Sequence, residues 1–266
     1  MSEHQQSINL TSELLPIERA VASLVTALHH YETEQQAHIV DQSLLVTFSQ
    51  SLEAINLPQW LMRQKSYPRL FWMNREQDFS LAGIGVADTI HFQGSETNSA
   101  SFDRFQKALG TKDPHGRYFG GFCFNAQEEQ EPIWQEFSAF SFVLPLIQLT
   151  FENNQHSIIC NLWLESGDIL TTKISAITAL LESIVVDVAT VPILPAVKTI
   201  FYNPDEHDWN AQCNEAIERF ESGELDKIML ARQTVLEFEE IFSPLIFQLR
   251  YPYPQNTIYR FYFEPV

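Results

Sequence analysis

The sequence predicts an α+β fold of mostly antiparallel sheets with flanking helices, and three observations predict it. Short apolar, β-branched and aromatic runs follow one another across brief polar turns, as hairpins do. Segments with apolar residues at steps of three and four fall between groups of those runs, so the strict βαβ alternation of a parallel sheet is missing. Of the 266 residues, 45% are hydrophobic and 12% aromatic, enough to build a core, and nine glycines argue against a fibrous or disordered chain.

The elements follow in order. Leu14, Ile17, Val21, Leu24 and Leu28 form one stripe and predict a helix from about Leu10 to His30, with Ser12 ahead of it and Pro16 in its first turn. Leu44–Phe48 predicts a strand, and Leu57–Met62 a short helix opened by Pro58. Arg69–Met73 and Phe79–Val86, across Asn74–Asp78, predict a hairpin. Ser99–Leu109, with Phe102, Phe105 and Leu109 on one face and Gly110 after it, predicts a helix. Tyr118–Phe124, Phe140–Phe151 and His156–Leu164 predict three strands, the last two joined by a turn over Glu152–Gln155. Ile174–Ile184 returns to helical spacing.

Composition then shifts. The chain is expected to divide into an N-terminal α+β region over 1–190, a linker over 191–204 carrying Pro192, Pro195 and Pro204, and a second region over 205–266. In that region Asp208 can cap a helix whose Cys213, Ala216, Ile217 and Phe220 share a face, with Gly223 as its stop. Lys227–Phe238 is apolar on both faces in its first half and predicts a central strand. Ser243-Pro244 opens another helix, and Thr257–Phe263 is a last strand.

Thirty-four acidic against 16 basic side chains leave a net charge of −18. Such a surface repels phosphate backbones and anionic lipid, so neither nucleic acid nor membrane is an expected partner. An acidic chain can still bind an anionic metabolite by gathering a few cations, or a divalent metal, in one pocket. Cys123, Cys160 and Cys213 are far apart, lack a CxxC pair, and read as three buried, reduced thiols. The first residues lack the cationic start and apolar run of a signal peptide, and no stretch approaches the ~20 apolar residues of a membrane span, so a cytoplasmic location is expected.

Most candidate constellations are bland. His29, His30 and His38 have no acidic or thiol partner at ligand spacing and read as a solvated helix end. Gly83-Ile84-Gly85 lacks the third glycine of a dinucleotide fingerprint and reads as strand packing. Gly120-Gly121 could permit close backbone approach, though a barrel-like bend is the plainer account. Lys227 stands at the head of an apolar run, where a lysine is usually a solvated strand end. Its surroundings change that reading.

The stretch from Trp209 through Asp226-Lys227-Ile228-Met229-Leu230-Ala231-Arg232 resembles the opening of the chorismate-binding domain shared by isochorismate, salicylate, anthranilate and aminodeoxychorismate synthases. Arg69-Leu70-Phe71-Trp72, Phe79–Gly85, Tyr118-Phe119-Gly120-Gly121 and Phe142-Val143-Leu144-Pro145 resemble, in the same order, the N-terminal half of isochorismate synthases of the menaquinone type. Leu180-Leu181-Glu182-Ser183 spells a feedback signature of anthranilate synthases, but in that family it lies before the first strands; here it reads as helix packing.

The resemblance implies an anthranilate-synthase-like, chorismate-utilising fold and chorismate as substrate. Enzymes of this family that add water carry lysine where Lys227 stands, whereas those that add ammonia carry glutamine, so Lys227 is the expected catalytic base. The resemblance also implies Mg²⁺ held by glutamates, a glutamate general acid, and a Gly-x-Ser-Pro-Glu segment. None is assignable before Val266, so the chain reads as C-terminally truncated and inactive alone. An apolar run beside the lysine would form a dry wall, which favours the uncharged amine a base requires. Salicylate synthases begin with the same step and then eliminate pyruvate, and a non-catalytic N-terminal binding module is the alternative from another class.

Overall fold

A computed structural model describes residues 4–35, 39–92, 102–103, 106, 116–123, 134, 137, 140–186, 190–250 and 258–265. In chain order the elements are β1 His4–Asn9, α1 Ile17–Glu34, β2 Leu44–Leu52, α2 Leu57–Arg63, β3 Arg69–Met73, β4 Phe79–Ile84, β5 Asp88–Phe92 and β6 Phe119–Phe122. There follow β7 Phe140–Leu144, β8 Ile147–Glu152, β9 Gln155–Leu164, α3 Leu170–Glu182, β10 Val197–Asn203, α4 Glu206–Glu221, β11 Gln233–Phe238, α5 Leu245–Arg250 and β12 Arg260–Glu264. The helix expected over 99–109 lies almost wholly outside the described residues; Phe102, Asp103 and Gln106 are helical.

By contacts the described chain forms two units, residues 1–190 with 247–266, and residues 191–246. In the first, seven strands lie in the order β1, β2, β9, β8, β4, β3, β12, antiparallel throughout except β1 with β2. The fold class expected from hairpin-like succession is the one observed. Asn74–Asp78 turns β3 into β4 as expected, with the Asn74 side chain accepting from the Phe79 amide at 3.0 Å. β9 is central and buried on both faces through Ile158–Leu162. Helix α1 lies on β2 and against α3, burying Ala20, Leu24, Leu28 and Tyr31. It starts at Ile17, later than expected, because Leu15 bridges to Leu52 and Pro16 is the N-cap; Leu14 is left exposed.

Phe140–Phe151, expected as one strand, is two. Pro145 has no amide to give a ladder, and the chain turns there from a second sheet, ordered β5, β7, β6, into the main one. The partner run turns at the same level: Gly85 has φ +67°, and β4 and β5 flank it as β8 and β7 flank Pro145. Fully buried Asn161 holds this corner, its side chain donating to the Pro145 carbonyl at 2.8 Å and its amide to the Leu146 carbonyl at 2.9 Å. Gly83 is strand packing, as expected: a Cβ there would meet the Pro145 ring at 2.5 Å.

The two adjacent glycines of β6 differ. A Cβ on Gly120 would meet the Ser141 carbonyl oxygen at 1.9 Å, whereas one on Gly121 would meet nothing within 4 Å. Close approach of β7 backbone is what Gly120 serves, rather than a bend. Gly120→Ala is therefore expected to lower stability by at least about 1–3 kcal/mol, since strand β7 itself must shift. Gly121→Ala should stay within about 0.5 kcal/mol. Paired urea titrations check this; equal midpoints for the two variants would remove the distinction.

At the far edge, Arg69 on β3 donates to Glu264 on β12 at 2.5 Å and to the Gln64 carbonyl at 3.2 Å, and Tyr262 donates to the same carboxylate at 2.7 Å. The Arg69 side chain is 9% exposed and Glu264 28%. Burial pushes the Glu264 carboxyl up, but the bonds from Arg69 and Tyr262 and the Arg69 charge outweigh it and hold it below its ordinary value. His156, against the Phe151 ring at 4.8 Å, is held below its ordinary value by burial. Both are depressed in the fold, so each contributes stability above its unfolded pKa, about 6.5 for histidine and about 4.3 for glutamate, and loses it as pH falls. Melting temperature should decline below about pH 6.5 and further below about pH 4.3. The gap between wild type and Glu264→Gln should close across the lower step; a constant gap down to pH 3 would contradict the assignment.

The second unit pairs β10 with β11 as an antiparallel ribbon, Asn203 opposite Gln233 and Val197 opposite Phe238. Residues 197–203, within the proline-bearing stretch, are thus strand. The central strand expected over Lys227–Phe238 is corrected: it begins at Gln233, has one neighbour, and is exposed along almost all its length. β10 ends at Asn203 and the chain then enters α4, so among the described residues Lys227–Arg232 has no strand opposite it. The thiol expectation is corrected too: Cys160 is buried, which pushes its thiol up to about 12, while Cys123 and Cys213 are half-buried.

Candidate functional site

Lys227 lies on the segment between α4 and β11. Helix α4 is capped by Asp205, not Asp208: the Asp205 side chain accepts from the Asp208 amide at 3.0 Å. Glu206 and Asp208 in the first turn suit the positive end of the helix. Gly223 stops it as expected, at φ +74°, where a side chain would be strained. The amides of Glu224 and Leu225 then fold back onto the Arg219 carbonyl at 3.0 and 3.2 Å. Two residues later comes Lys227, exposed and in irregular backbone.

The dry wall expected beside it is not formed by the described residues: Ile228 is 41% exposed and Met229 83%. At the other end of the segment, the Arg232 guanidinium lies 4.7 Å from the Tyr202 ring centre and 5.7 Å from that of Trp209. This grouping escaped the sequence reading. Trp209 and Arg232 bound the stretch that carries the family resemblance, yet nothing in their spacing marks them as neighbours.

Other expected candidates hold ordinary positions. His29 and His30 face Glu32 and Glu34 along the exposed side of α1 at 3.4 Å, and His38 lies outside the described residues. Leu180–Ser183 is the end of α3, with Leu181 buried and Ser183 at the C-cap. Among the described residues no three His, Cys, Asp or Glu side chains come together to hold a metal ion.

The first unit contains a cavity of about 600 Å³ walled by β3, β6 and β12 through Phe71, Trp72, Gly121, Phe122, Phe261 and Phe263. Phe137 packs on Phe263 at 5.5 Å beside it. Its described lining holds no carboxylate, lysine or histidine. Its walls suit apolar rings.

Three comparisons bear on this arrangement. The family described as chorismate binding enzyme matches residues 30–266. The isochorismate synthase MenF of Bacillus subtilis (strain 168) is 24% identical over 229 residues, 77% of this chain and 47% of its own. The solved structure of MenF, the menaquinone-specific isochorismate synthase from Escherichia coli, matches with a TM-score of 0.61 at 20% identity, over 84% of this chain and 47% of that one. The chain therefore spans about half the length of each, and the structural match shows a shared fold. A family match from residue 30 to residue 266, over the antiparallel α+β framework described above, makes the chain a member of the chorismate-binding enzyme family.

Proposed function

We propose that the protein carrying this chain is an isochorismate synthase serving menaquinone formation, with Lys227 as the base that activates water. The observation that carries this reading is the lysine itself, at the head of Lys227-Ile228-Met229-Leu230-Ala231-Arg232 within the family-matched region. The names of the Bacillus subtilis and Escherichia coli relatives support it. The Lys227 amine takes a proton from water as the water oxygen bonds to C2 of chorismate. The ring double bond shifts, the C4–oxygen bond breaks, and the 4-hydroxyl leaves as water with a proton that the glutamate general acid implied by the family resemblance would give. One water enters and one leaves, so the reaction is an isomerisation.

Mg²⁺ is part of the proposal as the family's cofactor. The described residues do not form a set that fits the ion, and no step above is routed through it. The lack of a nucleic-acid partner belongs to the same proposal, on the charge of −18, and a cytoplasmic location is proposed with it. Among the described residues no helix is long and apolar enough to cross a membrane. Salicylate synthesis is the second reading, because the same lysine serves its first step. Chorismate and Mg²⁺ given to the protein should yield isochorismate without pyruvate; salicylate together with pyruvate would select the second reading.

A further inference from the structure

We infer that Arg232 is a positioning residue for Lys227: its guanidinium, stacked on Tyr202 and Trp209, ties helix α4 to the β10–β11 ribbon and so sets where residues 226–231 are held. This rests on Lys227 being the base proposed above. Three observations carry it.

The first is how the segment is attached. Residues 226–231 make no hydrogen bond or ion pair among the described residues, so they hang between two supports. One is the end of α4, where Glu224 and Leu225 bond to Arg219; the other is the start of β11, where Gln233 pairs with Asn203. If the supports move relative to each other, Lys227 moves with them.

The second is what joins the supports. Tyr202 belongs to β10 and Trp209 to α4, and Arg232 touches both rings, at 4.7 and 5.7 Å. Among the described residues, no hydrogen bond or ion pair links α4 to the ribbon; the stack on Arg232 is the polar side-chain tie between them.

The third is what Arg232 does without. The chain has 34 acidic side chains, and Asp205, Glu206 and Asp208 lie near the Trp209 end of the helix. Arg219 pairs with Glu215 and Glu224, yet Arg232 has no carboxylate within ion-pair distance among the described residues. Its side chain is committed to the rings. A planar guanidinium can lie flat on two aromatic faces, which a compact, strongly hydrated lysine ammonium does poorly.

Trypsin tests this on the 266-residue chain, with the cut at Lys227–Ile228 followed by mass spectrometry and expressed relative to the cut after exposed Lys198. Local opening exposes a segment to protease more than its neighbours, whereas general loss of stability raises both cuts together. Arg232→Lys, which keeps the charge, and Trp209→Leu should each raise that ratio at least about fivefold. Tyr202→Phe and Trp209→Phe, which keep a ring under the guanidinium, should leave it within about twofold. An unchanged ratio in Arg232→Lys, or equal effects of Trp209→Leu and Trp209→Phe, would overturn the inference.

A second arm uses chorismate turnover by the protein that carries this chain. Arg232→Lys should lower kcat with KM unchanged, since the substrate is still bound but the base is misplaced. Should Lys227→Gln retain full turnover, the base assignment fails, and the cleavage ratio still decides whether Arg232 holds the segment.

Discussion

Lys227→Gln is expected to lower the rate of water addition to chorismate by about 10²–10⁴-fold, the usual worth of a positioned base. Glutamine matches the length of most of the side chain and can still hydrogen-bond, but it cannot take a proton from water. Lys227 is exposed and makes no ion pair among the described residues, so its replacement should change stability by no more than about 0.5 kcal/mol. A rate loss with an unchanged melting curve is therefore the expected pairing. Nearly full activity in the substituted enzyme would leave Lys227 as a solvated charge beside α4 and remove the base from the mechanism.

Phe48→Ala should cost about 3–5 kcal/mol, the range for truncating a fully buried aromatic side chain. Phe48 is 0% exposed on β2 and meets the Tyr31 ring of α1 edge-on at 5.7 Å, so its loss leaves a void between helix and sheet. Tyr31 shares this dry contact; burial raises its pKa. Phe261→Ala is the control, because that ring is 73% exposed on the edge strand β12 and should cost about 0.5 kcal/mol or less. Urea midpoints with unchanged slopes measure both. A larger loss at Phe261 than at Phe48 would mean that the burial pattern is misassigned.

Legibility in the sequence followed the strength of local signals. The β3–β4 hairpin was readable because polar Asn74–Asp78 separates two apolar runs, and α4 because its apolar face and Gly223 agree on one helix. β1 was not: His4–Asn9 is polar, and its parallel pairing with β2 depends on residues far along the chain. β10 was hidden by the prolines around it, and β5 by its alternation of Asp88, Thr89 and His91 with apolar residues over a short run. The corner at Pro145 was overlooked because apolar residues continue on both sides of it. Lys227–Arg232 misled in the opposite way. Its apolar run reads as a central strand, yet only a neighbouring strand could make it one, and the described ribbon offers none there.

The candidate site was legible in one residue and not in its surroundings. A short motif singles out Lys227, through the family resemblance on which the proposed base rests. The stack of Arg232 on Tyr202 and Trp209 has no such signature, because cation–π contacts have no sequence period and their members come from a strand, a helix and the segment after it. The pairing of Arg69 with Glu264 across β3 and β12 is long-range in the same way.

Isotope transfer tests the central claim most directly, because a lysine-activated water must leave its oxygen in the product. Chorismate converted by the enzyme in H₂¹⁸O should give isochorismate carrying one ¹⁸O, on the C2 hydroxyl, and Lys227→Gln should suppress that labelled product in step with the rate. Isochorismate formed without ¹⁸O, as internal transfer of the 4-hydroxyl would produce, would contradict the account.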